Sequence, residues 1–132
     1  MQGLLRSIGA ALFLALAAAA QAGDAIAPAD VAAMLGDAKP PLVLDVRSEA
    51  EFAAGHVPGA VLIPHDVLDA RIGELGEPRE VIVYCRSGRR VELVRPSLEA
   101  AGFSVRALQG NFPAWQDAKL PVEQQESKEG SE

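Results

Sequence analysis

Cys85 is the single cysteine of the chain, and it opens the segment Cys85-Arg86-Ser87-Gly88-Arg89-Arg90. A thiol followed closely by three guanidinium groups and a glycine suits nucleophilic chemistry at a negatively charged sulfur. The thiolate, not the thiol, is the nucleophile, and nearby positive charge or a helix N-terminus favours it. A lone cysteine is by itself more often a small buried hydrophobe. The flanks of Cys85 argue against that reading. The apolar run Val81-Ile82-Val83-Tyr84 reads as a buried strand delivering the thiol into a tight loop, and a helix begins at Arg89 or Arg90. The loop N–H groups and the guanidinium groups of Arg86, Arg89 and Arg90 are expected to converge on the sulfur.

The remaining segments supply the frame for that loop. Pro28 suits the first turn of a helix over Ala29 to Leu35, with Gly36 as its stop. Leu42-Val43-Leu44 is a short strand running into Asp45-Val46-Arg47. Ser48 and Glu51 form a capping-box pair for a helix over Glu49 to Ala54. Gly55 to Gly59 is a turn, Ala60 to Ile63 a strand, and Asp66 is expected to cap a helix reaching Leu75. The helix after the cysteine loop runs to about Ala101, with Gly102 at its left-handed cap, and Pro96 inside it predicts a kink. Ser104 to Ala107 is the last strand, and Phe112 to Asp117 a short helix carrying Trp115, read as a core anchor. Strands alternating with helices imply an α/β domain, a mostly parallel sheet of about five short strands with helices on both faces. Sites in such sheets form outside the carboxyl ends of the strands, where both the cysteine loop and Asp45-Val46-Arg47 lie.

The first 22 residues read as an export signal: Arg6 in a short n-region, an apolar stretch from Ile8 to Ala20, and Ala20-Gln21-Ala22 as the cleavage pattern. Those 13 apolar residues are too few for a membrane span, which needs about 20. Cleavage after Ala22 leaves 110 residues, enough for one domain over residues 23–122 followed by a polar, disordered tail over 123–132. The mature chain is then periplasmic or otherwise exported, with no membrane association after cleavage. It carries 11 basic and 18 acidic residues, a net charge of −7 that disfavours nucleic acid. In an oxidising compartment one cysteine cannot close an internal disulfide, so the thiol is an intermolecular partner, a reactive group or a core residue. With Cys85, His56 and His65 alone, no zinc-site spacing exists.

The order Asp45-Val46-Arg47, Glu51-Phe52, Gly55-His56-Val57-Pro58-Gly59-Ala60, the cysteine loop, then Leu108-Gln109-Gly110 and Trp115 resembles the rhodanese family. The likeness runs from Ala25 to Val122, and small exported single-domain sulfurtransferases are most similar. It implies a rhodanese-like fold and transfer of a sulfane sulfur from thiosulfate or a similar donor to cyanide or a thiol, through a persulfide on Cys85. It implies Cys85 as catalytic residue, and Arg86, Ser87, Gly88, Arg89, Arg90 and Arg47 as substrate-binding residues. The partners would be a small anionic sulfur donor and a thiophilic acceptor, the chain a monomer, and no metal or organic cofactor is needed.

Loop length separates this from a related chemistry. Cysteine loops that accept a phosphoryl group need an arginine at position 91, where Val91 stands. Val91 also replaces the Ser or Thr of many rhodaneses, and Asn111 replaces a frequent second glycine. A redox protein would need a second cysteine. A sulfur-carrier or non-catalytic module delivering sulfur to a protein partner is the alternative; such modules usually lack the cysteine that this chain keeps. Asp45 and Arg47 read mainly as a structural ion pair, Arg47 being the one to face the pocket. His56 reads as a structural turn residue, and Glu49 and Glu51 as capping residues.

Overall fold

The computed structural model of the chain describes residues 24–125, so the expected export signal and the chain beyond Gln125 lie outside the described residues. Five strands form one sheet: β1 (Ala25–Ile26), β2 (Leu42–Asp45), β3 (Val61–Leu62), β4 (Glu80–Tyr84) and β5 (Ser104–Leu108). Their order is β1-β5-β4-β2-β3, and every pair is parallel. The connecting helices are α1 (Pro28–Met34), α2 (Glu49–Ala54), α3 (Leu68–Arg71), α4 (Arg89–Ala100) and α5 (Asn111–Asp117).

Strand β4 sits centrally because it is apolar on both faces, as a strand in a parallel sheet covered by helices must be. Val81 and Val83 point to one side and meet Leu44, Val91, Val94, Leu98 and Phe103. Ile82 and Tyr84 point to the other and meet Val31, Val43, Phe112 and Trp115. The alternation carries Cys85 to the α4 side, in the same cluster as Val81 and Val83. Trp115 is fully buried as expected, and its indole N–H donates to the Pro121 carbonyl at 2.8 Å.

Two elements differ from expectation. The segment after Pro64 is not one helix. Short 3-10 turns over His65–Val67 and Ile72–Leu75 flank α3, and Asp66 makes no capping bond. His65 N–H is held by the Val46 carbonyl, and Gly73 weakens the far end of any α-helix there. Strand β1, with only two residues, left no periodic signal; its pairing with β5 makes it a strand. Helix α4 has the expected extent, running from Arg89 through Pro96 to Ala100.

The boundary drawn at Val122 falls short of the structured chain. Glu123 exchanges both backbone hydrogen bonds with His56 at 2.9 Å, and the Gln125 N–H donates to the Ala53 carbonyl. Glu123 is therefore tied to the turn after α2. His56 is structural, as read: its ring stacks on Phe52 with centroids 3.6 Å apart, and its Nδ1 lies 2.7 Å from the Phe52 carbonyl oxygen. Among the described residues, no helix is long and apolar enough to cross a membrane.

Candidate active site

Cys85 leaves the sheet at the carboxyl end of β4, and its backbone is held on both sides. Its N–H donates to Asn111 Oδ1 at 3.0 Å, and its carbonyl accepts the Phe112 N–H at 3.1 Å. The start of α5 thus grips the root of the loop. Gly88 turns the chain into α4 with φ of 95°, a left-handed conformation that a side chain resists. That turn aims the Gly88 N–H at Cys85 Sγ, 3.0 Å away. A donor on the sulfur suits a negative charge there.

The arginines do not converge as the sequence suggested. Arg90 forms a two-pronged bridge to Glu51, at 2.8 and 3.2 Å. This bond, joined by the Ser48 capping contacts, holds the Glu51 carboxyl down to about 2 against the opposing effect of burial. The same bond raises Arg90 above its ordinary value against the opposing effect of burial, and the charge of Glu51 adds to it. Arg47 is buried, as is its partner Asp45. Its Nη2 donates to Asp45 Oδ2 and to the Gly55 carbonyl, both at 2.7 Å, and its guanidinium lies 4.3 Å over the Phe112 ring. Arg47 borders clefts on both sides of α2, and its Nε and Nη2 groups hold the end of β2 to the turn that closes α2.

Arg86, Ser87 and Arg89 are exposed. Neither Arg86 nor Arg89 makes a side-chain hydrogen bond within the described chain. Arg86 lines a cleft of about 270 Å³ with Arg47, Glu51, Gly55 and Phe112. Arg89 lines a separate cleft of about 560 Å³ with Ser87, Gly88 and Asn111. Cys85 is fully buried and borders neither cleft.

Two residues escaped the sequence reading as parts of this site. Glu51 was explained as a capping residue; the capping box is present, and the same carboxylate also holds Arg90. Asn111 stands where many rhodaneses carry a second glycine. It does adopt φ of 58°, but its side chain also binds Cys85. An Asn directly after a glycine at a strand end was the available signal. Among the described residues no cluster of three His, Cys, Asp or Glu side chains gathers to hold a metal.

A family model described as Rhodanese-like domain matches residues 27–118. The chain belongs to that family. A sulfurtransferase of Allochromatium vinosum is 35% identical over 89 residues, covering 67% of this chain and 83% of the relative. Thiosulfate sulfurtransferase 16 of Arabidopsis thaliana, a chloroplastic protein, is 33% identical over 92 residues, covering 60% of this chain and 77% of the relative. Among solved structures, a rhodanese-like domain protein from Staphylococcus aureus superposes with a TM-score of 0.66 at 29% identity, covering 76% of this chain and 98% of that one. The α/β architecture with its parallel sheet is therefore the rhodanese-like fold, and the chain is a member of a sulfurtransferase family.

Proposed function

We propose that this rhodanese-like domain is a thiosulfate-type sulfurtransferase working through Cys85. The observation that carries the reading is the Gly88 N–H set 3.0 Å from Cys85 Sγ at the turn into α4. The Cys85 thiolate attacks the outer sulfur of thiosulfate or a similar small anionic donor. The bond between the two donor sulfurs breaks, and its electron pair leaves with sulfite. The transferred sulfur stays on Cys85 as a persulfide, and the Gly88 N–H at Sγ stabilises the thiolate that attacks and is later released. A thiophilic acceptor, cyanide or a thiolate, then attacks the outer sulfur and releases the Cys85 thiolate. Arg86 and Arg89 are the cations available to the oxygens of the donor. The activity named for the Arabidopsis thaliana relative supports thiosulfate as donor.

The deciding experiment is intact mass spectrometry of the protein after exposure to thiosulfate. One added sulfur atom, removed again by cyanide and absent from Cys85→Ser, is the expected result. An unchanged mass would overturn the reading. The export signal expected over residues 1–22 puts the activity outside the cytoplasm. N-terminal sequencing of protein from the envelope fraction should begin at Gly23, and full-length chain recovered from the cytosol would contradict it.

A further inference from the structure

We infer that Asn111 is a positioning residue for sulfur transfer, holding the root and the turn of the Cys85 loop in register. The inference rests on the sulfurtransferase reading but draws on separate observations. The Asn111 side chain reaches across 26 positions of sequence to accept the Cys85 N–H at 3.0 Å. Because that partner is a donor, the bound atom is the amide oxygen, which leaves the NH2 group directed elsewhere. That nitrogen lies beside Gly88: a Cβ built on Gly88 would meet Asn111 Nδ2 at 3.2 Å. One side chain therefore bonds the cysteine and lies beside the glycine whose N–H points at its sulfur. Asn111 holds a backbone of φ 58° to do so, a conformation in which glycine would be unstrained.

The strain and the bonding together distinguish a positioning role from a tolerated substitution. Replacing Asn111 by Gly relieves the backbone and removes the amide. The Cys85 N–H loses its acceptor, and the Gly88 turn loses the group packed against it. Replacing it by Asp keeps an acceptor of the same shape but adds a negative charge beside the cysteine. The charged groups on the elements that carry and flank the loop stay unaltered in both variants: Arg86 on the loop, Arg89, Arg90 and Glu92 on α4, Glu51 on α2, and the Asp45–Arg47 pair at the end of β2.

The test combines three measurements on Asn111→Gly and Asn111→Asp: thermal unfolding, steady-state thiosulfate:cyanide transfer, and the pH profile of Cys85 alkylation by iodoacetamide. Asn111→Gly should melt no lower than the parent by more than a degree or two. Its kcat should fall about tenfold, with the KM for thiosulfate within twofold, since Asn111 orients the loop and leaves donor binding to the arginines. Asn111→Asp should move the alkylation profile upward by about one pH unit or more, as a nearby like charge disfavours the thiolate. Retention of parental kcat by Asn111→Gly, together with an unmoved alkylation profile in Asn111→Asp, would overturn the inference. The alkylation profile reads Asn111 even if the parent transfers no sulfur, so failure of the sulfurtransferase reading is seen separately.

Discussion

Four arginines surround the cysteine loop, and they fall into two pairs of opposite character. Arg47 and Arg90 are tied to carboxylates, Asp45 and Glu51, and join β2 and α4 to the two ends of α2. Arg86 and Arg89 are exposed, on separate clefts. In sequence all four are alike, basic residues near strand ends. The difference lies in what the chain brings opposite each one. A guanidinium paired with a carboxylate ties elements of the site together, and one with no partner among the described residues has its donors open. Losses at the first pair should appear in stability, and losses at the second in turnover.

The widest separation should come from Arg47→Ala. It leaves Asp45, fully buried, without its partner, and such a loss costs about 3–5 kcal/mol. The prediction is a strongly lowered denaturation midpoint in urea, with activity falling in step with the folded fraction. A variant of parental stability but altered donor KM would place Arg47 with the binding pair instead.

Arg86→Ala should give the converse result. Losing one charge-assisted contact to the donor removes about 1.5–3 kcal/mol of transition-state binding, roughly tenfold to a hundredfold in kcat/KM for thiosulfate. The melting temperature should stay within a degree or two, because Arg86 holds no partner among the described residues. Alkylation of Cys85 by a neutral reagent should change far less, since that reagent brings no oxyanion. Raised salt should reproduce part of the loss by screening. Equal losses with both reagents would mean that Arg86 acts on the thiolate alone.

The two pairs also differ in how legible they were. The strand into Cys85, the turn at Gly88 and the capping box of Ser48 and Glu51 could be read because each depends on residues a few positions apart. Strand-like runs alternating with helix-like segments along the chain gave the α/β class in the same local way. Partners brought together by the fold could not be read. Arg90 and Glu51 are 39 positions apart, and Cys85 and Asn111 are 26 apart. Nothing local to Arg90 distinguishes it from Arg89; only the passage of α2 beside α4 does. Strand β1 and the Glu123 pairing failed for the same reason, since two residues and one residue carry no period of their own.

The bridge of Arg90 to Glu51 offers a milder test through pH. Hydrogen bonding to Arg90 lowers the Glu51 carboxyl in the folded state to about 2, from about 4.5 when unpaired. The unfolded chain therefore binds the proton more readily between those values. The stabilisation is present above about pH 4.5 and is lost as pH falls toward 2. Glu51→Gln should lower stability at pH 7 by about 1 kcal/mol, because the pair is only partly buried. The gap between parent and variant should close as the pH drops through that window. A gap that persists unchanged at the acid end would show that Glu51 acts through shape or capping and not through its charge.

Arg89→Ala should have the smallest effect, and it decides whether the exposed pair acts as a unit. Arg89 begins α4 and lines the cleft on the Gly88 and Asn111 side, away from the cleft that holds Arg86. A donor bound through Arg86 on one side of the loop gains from Arg89 mainly a screened Coulomb attraction. The expected loss in kcat/KM for thiosulfate is therefore about twofold to fivefold, and it should nearly vanish at high salt. Stability should be unchanged or slightly raised, since a cation at a helix N-terminus opposes the helix dipole. The double variant of Arg86 and Arg89 gives the sharper reading. Multiplying losses mean two independent contributions, one a contact and one a field. A double variant much worse than the product would mean that both guanidinium groups close on one anion, and the separation of the two clefts would then be bridged during turnover.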